Sequence, residues 1–521
     1  MSVIWARLRI IVIPLILILV LFLLQVQTEL RQLQTLPSPG WSRTMKASPA
    51  LETTSVPLVQ LDDKEQLVHF YLTNDNGVNQ VAMTPSLQVT KTTPYNLNGP
   101  VHSLFWGNGN QFIYQKGKGL YFYSNSKSVI VSPSFDQAAA LSNVLIYSKG
   151  SQLIEFIPET RSSSEIAAFA SPVYAIHSTG SDRTLLVTTQ NSTTRQLTFF
   201  LLKDQAEKGF AVYKLGFITP AKNQQLVSSQ ITKTKTAYFM VLAFASKNGT
   251  MQLENVSLPL SMVAQGQVGR PKAKAFTIKN GPNGKPLTSF KDLNLCSKGG
   301  APVLLFVGTK RDHLENQVMV AEPNKEGQWT AEKRSAPLHP KSTPFWASAN
   351  HQLIGWLSPE KGSLKTIEFT SHHPALISKS LQLTKRDLIH ASRLTLSKMD
   401  RLGRFMLISL LAGVPALLML FILRRWAKGL LISRHINTCA LGVFLAAEGE
   451  LVHHFIFSIK GLPTYLNFPF NTFAYITGLA LISFFLAKWM SPKLWSLRSK
   501  VGYGVTLFLL LLTFLAGPYF Y

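Results

Sequence analysis

The chain has 521 residues, a formal net charge of +26 and two cysteines, Cys296 and Cys439. That length exceeds the roughly 100–200 residues of a single domain. Two cysteines placed so differently, one mid-chain and one in an apolar segment, exclude a disulfide-built scaffold. Apolar residues make up 46% of the whole, but they gather at the two ends, and the middle is rich in Ser, Thr, Gln, Asn and Lys.

Residues 10–24 form an apolar run interrupted only by Pro14 and preceded by Arg7 and Arg9. The run continues into Gln25-Val26-Gln27-Thr28-Glu29-Leu30, with no small-residue cleavage site and no lipobox cysteine. Residues 1–29 are therefore expected to form an uncleaved signal anchor with its N-terminus in the cytoplasm. Residues 30–60 read as a linker, because 36–57 is a Pro/Ser/Thr-containing stretch.

Residues 61–380 change character, to short apolar runs separated by turn signals. The clearest unit covers 101–131: strands over 101–106, 112–115, 120–123 and 128–131, separated by Gly107-Asn108-Gly109-Asn110, Lys116-Gly117-Lys118-Gly119 and Ser124-Asn125-Ser126. Four strands joined by tight hairpins make a meander. Similar units fall on 67–83, 143–156, 185–215, 238–256, 303–321 and 353–369. Their spacing of roughly 35–50 residues is that of propeller blades. The fold class expected is an all-β exported domain, a β-propeller of about seven blades within a range of six to eight, plus α-helical transmembrane segments, one N-terminal and four C-terminal. A β-sandwich pair is the alternative. No Trp-Asp signature marks a named propeller family.

Residues 381–404 read as a juxtamembrane amphipathic segment. Thr384 and Asp387 would cap a basic helix with Leu388, Ala391, Thr395, Met399 and Leu402 on one face. The alternative is a strand over 388–396 that closes the last blade. In 405–521, four apolar stretches follow at 405–423, 436–459, 470–487 and 501–520, each near the roughly 20 residues that a bilayer core requires. Arg424, Arg425, Lys428 and Arg434 fill the loop after the first, and Lys488, Lys493, Arg498 and Lys500 the loop after the third. Positive charge marks the cytoplasmic side. This places the large domain and the C-terminus outside a cell membrane, in a bacterial envelope. Trp426, Trp489, Trp495 and Tyr519 suit interfacial anchoring.

No catalytic motif is present, and neither a cofactor nor a metal centre is expected. Gly107-x-Gly109 and Gly117-x-Gly119 lie in hairpins without the strand-then-helix setting of a nucleotide loop. Two groups remain. Arg270, Lys272, Lys274, Lys279, Lys285, Lys291 and Lys298 share one stretch with a single acid, Asp292. Gly and Pro punctuate it, so it reads as a mobile basic loop and a candidate anion-binding patch. The bland reading is a solvated loop.

The second group is Glu448, Glu450, His453 and His454, an intramembrane polar cluster holding the two acids present from Arg404 onward. Ionisable groups in a bilayer are costly and need a partner or water. Glu450 and His454, four apart, can meet on one helix face. Helix-end residues at the outer interface are the bland reading here.

Between Ile10 and Gly403 lie 40 of the 52 basic and 24 of the 26 acidic residues, so the exported part is itself basic. The expected partners are membrane lipids, membrane or envelope proteins, and an anionic polymer or lipid. Nucleic acid is not expected, since charge alone points to it. The function that follows is a membrane-anchored extracytoplasmic interaction or ligand-sensing platform in a cell-envelope complex, non-enzymatic in itself. The alternative is a membrane enzyme or transport component that uses the Glu/His cluster.

Overall fold

The computed structural model describes residues 2–516 apart from 35, 62–66, 98, 180–181, 206–208, 266–271, 283, 310–315, 336–340, 349–350, 360–362, 383–384, 413, 415–417, 419–420, 423–424, 426–429, 454–471 and 492–494. The chain divides into two compact units. One is Leu36–Gln382; the other joins Met1–Thr35 to Leu383–Tyr521. The first helix, α1 (Ser2–Gln34), belongs to the second unit.

The first unit is a seven-bladed β-propeller, one sheet per blade. It opens with β1 (Met45–Lys46) and β2 (Glu52–Thr53), which wait for a partner at the far end of the chain. Blade 1 is β3 (Leu58–Leu61), β4 (Val68–Asn74), β5 (Gly77–Met83) and β6 (Val89–Asn96). Blade 2 is β7 (Ser103–Asn108), β8 (Gln111–Lys116), β9 (Gly119–Ser124) and β10 (Lys127–Ser132). Blade 3 is β11 (Ala138–Leu141), β12 (Val144–Lys149), β13 (Gln152–Ile157) and β14 (Ser162–Ala168). Blade 4 is β15 (Val173–Ser178), β16 (Thr184–Gln190), β17 (Leu197–Asp204) and β18 (Phe210–Ile218).

Blade 5 is β19 (Gln224–Lys233), β20 (Ala237–Ser246), β21 (Met251–Pro259) and a short β22 (Lys274–Phe276), with a helical turn α2 (Leu260–Ala264) before β22. Next comes β23 (Ile278–Asn280), which lies parallel to β27 at the outer edge of blade 6. Blade 6 itself is β24 (Phe290–Lys298), β25 (Ala301–Gly308), β26 (Val318–Pro323) and β27 (Trp329–Lys333). Blade 7 is β28 (Ser342–Trp346), β29 (Leu353–Pro359) and β30 (Lys365–Ser371), completed by β1 and β2 against β30.

The first strand of each blade lies innermost, and these strands neighbour one another around the axis: β3 by β7, β7 by β11, β11 by β15, β15 by β19, β19 by β24, β24 by β28. Middle strands such as β12, β16, β25 and β29 are almost wholly buried, as strands packed on both faces must be. Apolar side chains of neighbouring blades interdigitate. At the closing seam Phe70 of blade 1 meets Phe369 of blade 7 edge-to-face, with centroids 5.9 Å apart. Between blades 1 and 2 the Tyr71 ring passes over Gly107, where any Cβ would come within 2.7 Å of it, and its hydroxyl reaches Gly109 O at 2.7 Å.

Strand direction sorts the turns. Within each antiparallel meander, the start of the first strand and the turn between the second and third lie on one face of the ring. The other two turns lie on the opposite face. β30 is a third strand and β1 takes the fourth position, so both chain ends leave from that opposite face. They are stitched together there: Ser42 N donates to Ser371 O at 2.7 Å, Gly40 O meets His372 Nδ1, and Arg43 Nη1 reaches Ser380 O at 2.9 Å. Ser380 sits on α3 (Pro374–Leu381), whose Leu376 is buried against blades 1 and 7.

Two expectations change and one alternative falls away. The linker over 30–60 is in large part propeller: Trp41, Ser42, Ala47 and Leu51 are buried and β1 to β3 pair. Polar and proline-bearing composition concealed this, because the pairing partner, β30, lies over 300 residues away. The last blade is closed by these N-terminal strands and not by 388–396, which is helical. The basic stretch is not a loop. β22, β23 and β24 run through it, and Asn280 N bonds Lys285 O around a turn that needs Gly281 at φ +76°.

The second unit contains, besides α1, α4 (Lys385–Ala412), α5 (Leu430–Val452), α6 (Thr472–Met490) and α7 (Leu497–Ala516). Leu21, Phe405, Phe444, Ile476, Phe508 and Leu512 form its core. α1 is thus packed among the C-terminal helices. Gln25 Nε2 donates to Phe514 O at 3.2 Å, and Glu29 pairs with Lys398 at 2.5 Å. Among the described residues, two helices are long and apolar enough to cross a membrane, through Pro14–Arg31 and Ser499–Ala516, and α6 adds a shorter apolar stretch. They point to membrane anchoring. α4 runs unbroken from Lys385 into the first of the four apolar stretches.

Candidate functional site

The basic residues nominated from the sequence do not form one patch. Lys291 and Lys298 stand near opposite ends of β24, roughly 23 Å apart at 3.3 Å per residue, so they belong to opposite faces of the ring. Lys298 is paired with Glu322 at 3.4 Å. Lys272 and Lys274 lie exposed at the edge of blade 5. Lys279 and Lys285 lie on the hairpin at the edge of blade 6, where Lys279 Nζ reaches Gln328 Oε1 at 3.4 Å. Arg270 falls outside the described residues. A strand that crosses the whole blade cannot keep its terminal lysines together.

Several ionisable groups that sequence reasoning passed over are tied between blades. Asp182 and Arg183 occupy the β15–β16 turn. Arg183 reaches back to Glu155 of blade 3 at 2.8 Å and to Asp204 at 2.7 Å. Asp182 reaches forward, accepting from Tyr238 Oη at 2.8 Å and pairing with Lys233 at 3.1 Å, both in blade 5. Burial alone would push the Asp182 carboxyl up, but bonds from Thr179, Tyr238 and Lys233 outweigh it and hold it below the usual carboxylate range. Burial and the Asp182 charge push Tyr238 up to about 12. In blade 7, Glu368 Oε2 accepts from Trp356 Nε1 at 3.1 Å and Ser358 Oγ at 2.7 Å. Burial lowers the nearby Lys341 to about 8, with Glu368 opposing that shift. The Asp182 and Arg183 contacts tie blades 3, 4 and 5 together, and those of Glu368 lie within blade 7. Burial likewise pushes the Cys296 thiol up to about 12, which makes it inert.

An apolar crevice of about 230 Å³ opens between blades 4 and 5, lined by Phe199, Leu215, Phe217, Met240, Leu242 and Val256 among others. It carries no charged side chain. The inner strands also share a device. β7, β15, β19, β24 and β28 each shift register near their start. The displaced residues bridge to the next blade: Tyr174 Oη donates to Leu226 O at 2.9 Å, and Asp292 Oδ2 accepts from Thr343 N at 2.8 Å. Such bulges re-aim side chains at a rim.

The group of Glu448, Glu450, His453 and His454 separates as well. Glu448 is fully buried on α5, where Ser409 Oγ of α4 donates to its Oε2 at 2.5 Å. Its Oε1 has no hydrogen-bond partner among the described residues. Glu450 and His453 are exposed on the helix surface, and His454 falls outside the described residues. A helix turns 100° per residue, so residues two apart point to nearly opposite sides. Glu448 and Glu450 therefore cannot act on one centre. Among the described residues, no group of three or more His, Cys, Asp or Glu side chains is placed to hold a metal ion.

No family model matches the chain, and no curated protein matches it. Similar solved structures include a catalytically inactive virginiamycin B lyase from Staphylococcus aureus, at 12% identity and a TM-score of 0.38, covering 64% of this chain and 99% of that one. Hydrazine synthase from Kuenenia stuttgartiensis matches at 6% identity and a TM-score of 0.39, covering 60% and 94%. A quinonprotein alcohol dehydrogenase-like protein from Bacteroides thetaiotaomicron matches at 8% and 0.33, covering 62% and 69%. Likeness at this level says nothing about chemistry; the seven blades rest on the strand pairing itself.

Proposed function

We propose that the protein is a membrane-anchored extracytoplasmic platform of a cell envelope, which presents a rigid propeller to partner proteins or an anionic ligand. The observation that carries this reading is the joint exit of both chain ends at blade 7, fixed by Ser42–Ser371 and Arg43–Ser380. One corner of the ring carries both connections to the helices. The polar side chains of the propeller support the same reading, since they stiffen blade junctions.

The loop charges described above support a multi-pass arrangement with the propeller outside. So do the large apolar side chains turned outward from the helices: Leu407 and Leu411 on α4, and Leu481, Phe485 and Trp489 on α6. In water such a surface would drive aggregation; lipid accommodates it.

A second reading is favoured by Glu448, a fully buried carboxyl with one oxygen unsatisfied among the described residues. It makes the helical unit a transport or enzyme component, with the propeller as accessory. Complementation of a host deletion separates the two. Under the platform reading, Glu448→Gln keeps the bond to Ser409 and restores the host phenotype fully. Loss of complementation by a variant that inserts and accumulates normally would transfer the function to the helices.

A further inference from the structure

Exposed cations recur at corresponding turns of successive blades. On the face that bears the chain ends some cations are paired, Arg183 with Glu155 and Asp204, Lys233 with Asp182, and Lys298 with Glu322, while Lys127, Arg161, Lys235 and Lys325 stand exposed. The opposite face holds the turns between second and third strands. In four successive blades each of these turns carries an exposed cation: Lys118 in blade 2, Lys149 in blade 3, Arg195 in blade 4 and Lys247 in blade 5. Lys222, on the connection from blade 4 to blade 5, stands exposed on the same face. Arg195 donates to the carbonyls of Lys222 and Gln224, which fixes that connection beside its own turn. Among the described residues, none of the four lysines makes an ion pair. Of the carboxylates near the arc, Asp136 accepts the Gly150 N–H at 2.6 Å and Glu165 accepts from Gln152 Nε2 at 2.8 Å.

We propose that this arc of hairpin tips is the binding face for a linear polyanion, a flexible polymer bearing one phosphate or carboxylate per short repeat. Cations on separate blades of a stiff ring make a curved track of separated charges, which suits a chain lying across several blades. Lysine ammonium groups bind as point charges and tolerate sliding and varied geometry, unlike bidentate guanidinium forks. The tips read Lys-Gly-Lys-Gly, Lys-Gly-Ser and Ser-Lys-Asn-Gly-Thr at 116–119, 149–151 and 246–250, with no large apolar side chain to enter a bilayer. Membrane-surface binders combine charge with such side chains, so a polymer fits this face better than a lipid headgroup layer. The inference deepens the platform reading by naming its ligand class, and it moves the anion site away from the stretch 270–298.

The test uses the full-length protein in neutral detergent and fluorescent inorganic polyphosphate as probe. Lys118→Gln, Lys149→Gln, Lys222→Gln and Lys247→Gln are combined in one variant. Lys127→Gln, Arg161→Gln, Lys235→Gln and Lys325→Gln, all exposed on the other face, are combined in a control that loses the same charge. The arc variant is expected to bind about tenfold or more weakly and with a shallower salt dependence, while the control stays within about twofold of the parent. Poly-L-glutamate in place of polyphosphate tells whether phosphate or bare charge density is read. Equal losses in the two variants would reduce the effect to net charge and overturn the proposal. So would binding to phosphatidylglycerol vesicles that is lost in the arc variant when polyphosphate binding is not. Either failure leaves the platform reading intact, since that reading is tested by accessibility in cells and not by this ligand.

Discussion

The guanidinium of Arg334 lies 4.8 Å from the ring centre of Trp41, joining the segment before the first strand to the end of blade 6. Arg334 Nη1 also reaches Ser38 Oγ at 2.6 Å and Glu332 at 2.8 Å. Trp41 packs with Val303, Val307, Ile354 and Trp356, so it fills the junction of blades 6 and 7. The N-terminal segment is therefore a wedge in the closing seam.

Trp41→Ala removes both the wedge and the cation–π contact. The expected loss is about 3–5 kcal/mol of propeller stability, the usual cost of emptying a buried aromatic site. Thermal unfolding of the purified full-length protein, followed by tryptophan emission or limited proteolysis, measures it. A melting temperature unchanged within about one degree would return 36–44 to the status of a tether.

His177 lies on the inner strand of blade 4, and burial lowers its ring to about 4. The unfolded chain takes up this proton near pH 6.5, but the folded ring resists it down to about 4. The unfolded state thus binds more protons throughout that window, and folding stability falls as pH drops through it, levelling off below. His177→Gln removes this share. Melting temperatures of variant and parent, compared at pH 7.5 and pH 4.5, should shift in favour of the variant at the lower pH. A difference independent of pH would mean that the ring protonates freely in the folded state.

Glu29 and Lys398 bind α1 to α4 with the carboxylate almost fully buried. Reversing either charge alone leaves a buried charge unpaired and should cost on the order of 3 kcal/mol. The double variant Glu29→Lys with Lys398→Glu should recover most of that. Thermal aggregation in detergent reads the series. Additive losses in the double variant would show that the two side chains do not meet.

The propeller was legible because its turns are written locally. Asn-Gly and Lys-Gly hairpins separate alternating runs, and the meander over 101–131 coincides with β7 to β10 within two residues at each end. The closing strands were not legible, because Met45–Lys46 and Glu52–Thr53 are too short for any period and their partner β30 is fixed only by the finished ring. The basic stretch misled for a related reason. Gly281, Pro282 and Gly284 signalled a loop, and the turn is real, but flanking triplets such as Lys274–Phe276 become strands only because a blade edge lies beside them. Charge clustering along the chain then failed as a guide to clustering in space. The arc of Lys118, Lys149, Arg195 and Lys247 is spread over about 130 residues of sequence and is united only by blade repetition. In the helical unit, a run of four ionisable residues looked like one site, whereas helical phase alone separates Glu448 from Glu450.

The most direct measurement is the accessibility of the propeller in living cells. Lys118 is exposed on a hairpin tip, so Lys118→Cys in a Cys296→Ser, Cys439→Ser background offers a single reactive thiol. A membrane-impermeant maleimide applied to intact cells is expected to label it fully, with no gain after permeabilisation, while a cysteine at Lys428 is labelled only once the membrane is opened. Labelling of Lys118→Cys solely after permeabilisation would put the propeller in the cytoplasm and contradict the account of an extracytoplasmic platform.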